Sequence, residues 1–206
     1  MKLVIGNKNY SSWSLRPWLA IKVAGLPFVE INHDLYADNA RAERLRYGPT
    51  GKVPVLIDGD VAIWETPAIA EYLAEIEPAL WPADRSARAV ARAVCAEMHA
   101  GFTVLRTRCP MDVQLRTRLD VDEALVAELE RLTALWADCK ARFGAGGDFL
   151  FGRFSHADAF FAPVATRIRS YGLPVSQAAQ AYADTLLALP AFLEWETAAA
   201  REVRRA

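Results

Sequence analysis

Cysteine is scarce in this chain and poorly placed for redox or metal chemistry. The 206 residues include three, Cys95, Cys109 and Cys139, far apart and outside any CxxC or Cys/His ligand pattern. Neither a disulfide framework nor a structural zinc site is expected. Cys95 and Cys139 fall in helical apolar patterns and read as buried structural thiols. His33, His99 and His156 are scattered without metal-ligand spacing, so no metal is expected. An excess of one charge is also missing, since 24 Lys and Arg oppose 25 Asp and Glu. That balance removes the basic face on which general nucleic-acid binding depends. Arg201, Arg204 and Arg205 do cluster, and read as a solvated helix end whose negative dipole they complement. No apolar run approaches the ~18 residues that span a bilayer, so no membrane association is expected. Met1 leads into Lys2-Leu3-Val4-Ile5-Gly6 with neither the apolar core nor the cleavage site of a signal peptide. A cytoplasmic protein in a reducing compartment fits all of this. Internal repeats and low-complexity segments are absent. What the chain does have is apolar residues, 53% of its length, ample for a sizeable core.

The first 80 or so positions change period repeatedly. Leu3-Val4-Ile5 reads as a buried strand, followed by a turn-rich stretch from Gly6 to Ser14. Leu15, Trp18, Leu19, Val23 and Leu26 then keep helical spacing, with Pro17 in the first turn and Gly25 at the end. Val29 and Ile31 alternate with polar neighbours as a second strand. A polar helix covers Asn39 to Arg46, stopped by Gly48-Pro49. Residues 53–57 and 61–64 form two strands joined through Asp58-Gly59-Asp60, a hairpin signature. Ile69, Tyr72, Leu73 and Ile76 make the inner stripe of a third helix, closed by Pro78. The order β-α-β-α-β-β-α, with a right-handed crossover between the first two strands, is the layout of a thioredoxin-like α/β domain.

Pro78, Pro82 and the polar residues after them read as a linker, and beyond it the grammar is helical throughout. Val90, Val94, Met98, Phe102 and Leu105 predict one long helix broken before Pro110. Leu125, Leu129, Leu132, Trp136, Cys139 and Phe143 predict a second, with further helices starting near Ser155, near Ser176 and after Pro190. The expected division is residues 1–78 as the α/β domain, 79–85 as linker and 86–206 as an all-α helical bundle.

Three places carry candidate chemistry. Asn9-Tyr10-Ser11-Ser12-Trp13-Ser14 lies between the first strand and first helix, where free backbone N–H groups favour negative charge. Hydroxyls stand there and cysteine does not, so the protein itself is not expected to exchange disulfides. A hydroxyl can instead donate a hydrogen bond to a ligand's thiolate. Ser14, directly before the periodic run, is expected to cap the helix, which leaves Ser11 and Ser12 within a ligand's reach. In Gly51-Lys52-Val53-Pro54-Val55, a cis proline would present the Val53 backbone to a ligand peptide as an added strand would; an ordinary trans proline is the plainer reading. In Trp64-Glu65-Thr66-Pro67, Thr66 is expected as N-cap with Pro67 at the first helical position. That terminus suits a carboxylate, and Glu65 suits an ammonium group. Thiol by Ser11 or Ser12, peptide by Val53, amino-acid end by Glu65 and Thr66: glutathione has those three parts.

With these residues in view, essentially the whole chain resembles the cytosolic glutathione S-transferases, especially bacterial members like the zeta class. Ser11-Ser12-Trp13-Ser14-Leu15-Arg16 resembles the zeta-class Ser-Ser-Cys-Ser-x-Arg motif, with Trp13 in place of cysteine. Gly51-Lys52-Val53-Pro54 looks like the family's cis-proline strand entry, and Glu65-Thr66-Pro67-Ala68-Ile69 like its Glu-Ser-x-Ala-Ile segment. Phe154-Ser155-His156-Ala157-Asp158, with Ala162-Pro163-Val164, resembles its capping box in the bundle. The resemblance implies Ser11 as the catalytic hydroxyl, with Ser12 as runner-up, and a glutathione site formed by Lys52, Val53, Pro54, Glu65 and Thr66. It implies an electrophile site between the domains, lined by Trp13, Met98, Phe102 and Leu105, although the same stripe also reads as plain core. Arg106 or Arg108 either holds an acidic substrate or is simply solvated.

The activity so implied is glutathione conjugation of small, mainly apolar electrophiles through a serine-stabilised thiolate, a detoxification chemistry, in a homodimer. Two rival expectations are zeta-like cis–trans isomerisation of an acidic substrate and a non-catalytic glutathione-binding or regulatory role.

Overall fold

The structure, a computed structural model, describes residues 1–203. Arg204 and Arg205 lie outside the described residues. The chain opens with β1 (Lys2–Gly6), α1 (Ser12–Val23), β2 (Val29–His33), α2 (Ala40–Arg44), β3 (Val55–Asp58), β4 (Val61–Trp64) and α3 (Thr66–Ile76). The strands form one sheet in the order β2-β1-β3-β4, with β1 parallel to β2 and antiparallel to β3. β3 and β4 are an antiparallel hairpin. Leu3, Val4 and Ile5 have no exposed surface, as expected for a strand paired on both sides and covered on both faces. This half is a thioredoxin-like domain.

A short 3₁₀ turn over Pro78–Leu80 leads into the helical remainder: α4 (Arg85–Ala100), α5 (Thr103–Arg108), α6 (Glu123–Phe143), α7 (His156–Tyr171), α8 (Gln177–Leu187) and α9 (Pro190–Ala199). Among the described residues no helix is long and apolar enough to cross a membrane. α7 is buried on nearly every side, from His156 through Tyr171, and packs against α1, α4 and α8. A helix buried on nearly every side sits at the centre of its bundle. Its start is fixed by the predicted capping box. The Asp158 carboxylate accepts from Ser155 N (2.8 Å), Ser155 Oγ (3.0 Å), Leu150 N (3.2 Å) and Tyr182 Oη (2.8 Å).

Several boundaries depart from the sequence reading. The strand expected from Val53 starts at Val55, because Val53 and Pro54 form the cis-linked entry to it. Ile76 shares the spacing of the α3 stripe but is 45% exposed; it occupies the last turn, where the chain leaves the core. The single long helix expected through Leu105 is two. α4 ends at Ala100, and Phe102 takes a left-handed backbone (φ 56) before α5 begins. The Glu128 carboxylate of α6 stabilises that break by accepting from Val104 N (3.2 Å) and Leu105 N (2.7 Å), two of the free donors of the new helix. The cysteines are all buried and free, as the apolar pattern indicated for Cys95 and Cys139.

Asp158→Ala removes the acceptor from four buried donors and is expected to lower stability by about 3 kcal/mol or more, read by urea denaturation at pH 7. Burial pushes the Asp158 carboxyl up to about 6 despite those donors, above the ~3.9 of an unfolded aspartate. Its contribution is therefore fullest below pH 4 and declines as pH rises through 6. The stability difference between wild type and Asp158→Asn should shrink across that window.

Candidate active site

The β1–α1 connection places the serines. Ser11 is the N-cap of α1: its Oγ accepts from Ser14 N (3.3 Å) and donates to Ser14 Oγ (2.7 Å). Ser14, expected as the cap, lies inside the first turn, and its Oγ accepts from Gly6 N (3.1 Å). The helix thus starts three residues before the apolar periodicity does, since Ser14 is needed to bind the end of β1. Ser12 is the first helical residue, 8% exposed. Its hydroxyl makes no hydrogen bond to protein among the described residues.

The loop before Ser11 is fastened from far along the chain. The Glu202 carboxylate accepts from Lys8 N (2.6 Å) and Asn9 N (3.0 Å). Trp195 Nε1 donates to Lys8 O (2.9 Å), and Val113 N donates to Asn9 O (3.1 Å). The Lys8 ammonium pairs with Glu30 and lies over the rings of Trp18 and Trp195, 5.6 and 5.4 Å from their centroids.

The other two segments converge on this helix end. Val53-Pro54 is a cis peptide, preceded by Gly51 at φ 61. Glu65, not Thr66, occupies the cap position of α3, at φ 67, with Thr66 and Pro67 as its first two residues. A non-glycine residue held there costs about 1–3 kcal/mol, a strain typical of ligand-binding positions. The Glu65 carboxylate lies 3.6 Å from His99 Nε2, and Thr66 Oγ1 lies 3.4 Å from His99 Nδ1. Burial, then the charge of Arg16, pulls the His99 pKa below the usual imidazole range against the opposing pull of Glu65, leaving the ring neutral at pH 7.

Two adjoining cavities result. One, of about 320 Å³, is lined by Trp13, Lys52, Val53, Pro54, Glu65, Thr66 and His99, with Thr50 and Trp64. The other, of about 480 Å³, is lined by Tyr10, Ser11, Ser12, Trp13, Lys52 and Val53 together with Leu35, Arg44, Gly51, Arg106, Pro110, Met111 and Arg167. Trp13, Lys52 and Val53 belong to both walls. A larger cavity of about 580 Å³ between α6 and α8 brings together no comparable set of polar groups.

Ser11, Ser12, Trp13, Lys52, Val53, Pro54, Glu65 and Thr66 are thus brought together. Met98, Phe102 and Leu105 are not: at 0%, 6% and 0% exposure they pack in the core and line neither cavity. The break at Gly101–Phe102 turns this stripe inward. Of the two arginines left open, Arg106 reaches the cavity, whereas Arg108 pairs with Asp122 at 2.6 Å. His99, Arg16, Arg44 and Arg167 are missing from the sequence-based site. None belongs to a spaced motif; only Arg16 stood inside a quoted one.

Residues 10–76 match the family described as Glutathione S-transferase, N-terminal domain. Glutathione S-transferase Z1 of Arabidopsis thaliana is 29% identical over 171 residues, 76% of this chain and 74% of that protein. A glutathione transferase homolog from Burkholderia GL BGR1, solved with bound glutathione, shares 26% identity at a TM-score of 0.71, covering 98% of both chains. Residues 10–76 thus carry the N-terminal domain of the glutathione S-transferase family, and the chain along its whole length is similar to glutathione S-transferases. A dichloromethane dehalogenase of Methylophilus leisingeri reaches 62% identity over 32 residues, but that match spans 16% of this chain and 12% of the relative. The short match therefore says nothing about dehalogenation, whereas the Burkholderia and Arabidopsis similarities run through both the sheet and the helices of a transferase fold.

Because two backbone donors of the serine loop end on one carboxylate, Glu202→Ala should expose the Lys8 and Asn9 amides to hydrogen exchange. An accompanying stability loss of about 1–3 kcal/mol is expected, measured by exchange mass spectrometry and denaturant unfolding.

Proposed function

We propose that this protein is a cytoplasmic glutathione transferase that joins glutathione to a small electrophile, with residues 1–78 as the glutathione-binding domain, 79–85 as linker and 86–206 as the helical domain. One observation carries the reading: the α1 start with its serines, the Val53 peptide and the Glu65–Thr66 helix start all line two cavities that share a wall. Thr66 and the α3 N-terminus take the γ-glutamyl carboxylate and Glu65 takes its ammonium. The Val53 backbone pairs with the cysteinyl peptide. The thiol then lies at the start of α1, where the helix dipole and a hydroxyl stabilise its anion. Lowering a thiol pKa of ~8.5 by about two units corresponds to ~2.7 kcal/mol. In the reaction the thiolate sulfur forms the new bond to carbon, and the leaving group departs with its electron pair.

Ser12 is the better donor to that thiolate. The Ser11 hydroxyl is engaged on both sides with Ser14, while Ser12 lines the cavity and its hydroxyl has no protein partner among the described residues. This reverses the order that the zeta-class motif implies. Ser12→Ala is expected to raise the pKa of bound glutathione by one unit or more and to lower kcat/KM by about tenfold to a hundredfold. Ser11→Ala should chiefly cost about 1 kcal/mol of stability as a lost cap. Thiolate absorbance titration and steady-state conjugation of an aryl halide separate the two, and a full thiol shift on Ser11→Ala alone would return the role to Ser11.

His99 gives the site a pH dependence. Protonated His99 competes with the ligand ammonium for Glu65, so glutathione affinity should fall as pH drops below ~6.5 towards 5, where the amine and both carboxylates of glutathione keep their charge. His99→Gln should flatten that profile in calorimetric titrations.

The 29% similarity to the zeta-named Arabidopsis protein supports isomerisation as the second reading, marked by turnover that does not consume glutathione. Glutathione binding with no turnover of either kind would point to the regulatory role. A homodimer is supported by exposed Val61 and Trp64 on the edge strand β4, and light scattering tests it.

A further inference from the structure

The transferase reading leaves one feature of the larger cavity unused. Among its lining residues stand Arg44, Lys52, Arg106 and Arg167, with no aspartate or glutamate. Arg44 and Lys52 come from the thioredoxin-like half, where Arg44 Nε donates to Gly51 O (2.8 Å). Arg106 and Arg167 come from α5 and α7, in the helical half. Behind them lies Arg16, 1% exposed, whose guanidinium stacks 4.3 Å from the centroid of Trp13, while that of Arg106 lies 5.2 Å from the same ring.

These guanidinium groups repel one another. Burial first, then Arg167 and Arg106, pulls Arg16 down to about 9, and burial followed by Arg106 pulls Arg167 down to about 10. All remain charged at neutral pH. Among the described residues none of Arg16, Arg106 and Arg167 forms an ion pair with a carboxylate. Glu128, the acidic group felt by Arg106, has both oxygens on the Val104 and Leu105 amides. Arg16 Nε and Nη1 are buried with no hydrogen-bond partner among the described residues. Buried cations without counterions are strongly unfavourable, and the cation–π contact with the Trp13 face compensates only in part.

The cluster is nonetheless rigidly built. Arg167 donates through Nε to Cys109 O (2.8 Å) and through Nη1 to Pro163 O (3.1 Å). Arg106 is held by His99 O (3.2 Å) and by Gly101 O. Fixed planar donors facing a cavity, with their charge uncompensated, are what a carboxylate ligand requires. Of the residues expected to hold an electrophile, Met98, Phe102 and Leu105 are meanwhile sealed in the core and Trp13 alone reaches the cavity.

We propose that the electrophile half of this site takes an anionic co-substrate, a small electrophile bearing a carboxylate, which Arg106 and Arg167 bind while Trp13 and Met111 contact its carbon skeleton. The proposal rests on the glutathione transferase reading and deepens it. Trp13 becomes the residue that allows two arginines to stand so close, in place of the cysteine of the zeta-class motif.

The test is calorimetric binding of two isosteric conjugates, S-(4-carboxy-2,6-dinitrophenyl)glutathione and its 4-carbamoyl counterpart, which differ only in the charge on the aryl ring and need no turnover. The carboxylate conjugate is expected to bind at least tenfold tighter. Arg106→Gln should reduce that ratio several-fold, and Arg106→Lys should restore part of it. Arg167→Gln should act in the same direction, and half-buried Arg106 keeps the question answerable should the buried Arg167 variant not fold. Equal affinities, tighter binding of the amide, or a ratio untouched by Arg106→Gln would overturn the proposal while leaving the transferase reading intact. If Arg106→Gln weakened glutathione and both conjugates alike, the arginines would serve glutathione itself, which also overturns it. Binding of neither conjugate nor glutathione would overturn the transferase reading and the proposal together.

Discussion

Burial of α1 is the constraint on which the rest of this molecule turns. The helix packs on β1 and α3 of its own half and on α7 and α9 of the other, and Leu15, Leu19, Ala20 and Ile21 have no exposed surface. Trp18 meets Trp195 of α9 edge-on at 5.0 Å between centroids. Each such large side chain removed from water contributes about 1.5–3 kcal/mol, so the two halves are joined by the core rather than by a polar contact surface. The direction of α1 then decides where its first turn points. Its serines open onto the cavity, and Ser14 ties that turn to the end of β1.

The same burial explains why the site can hold so much uncompensated positive charge. Arg16 lies on a helix that cannot move outward without opening the core, and Arg167 lies on α7, which is buried along its whole length. A long flexible cation at the surface would turn away into water. Here the backbone denies that escape, and the carbonyls of Cys109 and Pro163 fix the guanidinium of Arg167. The serine loop is restrained in a parallel way, with Glu202 and Trp195 reaching it from the far end of the sequence and Val113 from the middle. Groups held by such supporting contacts keep their geometry before a ligand arrives, which is where most electrostatic stabilisation of a reacting anion originates.

Much of this was legible beforehand, and the departures share a cause. Period changes located the strands and helices, and residues whose types suit a thiol, a peptide and an amino-acid end were found lining the two adjoining cavities. Cap positions were misplaced at Ser14 and Thr66 because a cap is defined by backbone angles, and a run of hydroxyls is compatible with several starting points. Met98, Phe102 and Leu105 were expected in a cavity wall because helical spacing shows that a face is buried without showing what it is buried against. The left-handed residue at Phe102, supported by Glu128 from another helix, has no local signature.

The sequence by itself determined the element order, the resemblance to glutathione S-transferases and the three segments that line the two adjoining cavities, because each depends on short-range pattern and residue chemistry. Only the tertiary structure decided that the Ser11 hydroxyl is engaged by Ser14, that His99 sits between Glu65 and Thr66, and that arginines from α1, α5 and α7 gather around Trp13. Those facts concern proximity between residues as distant in the chain as Arg16 and Arg167. No periodicity encodes such proximity; packing of α1 against α7 creates it.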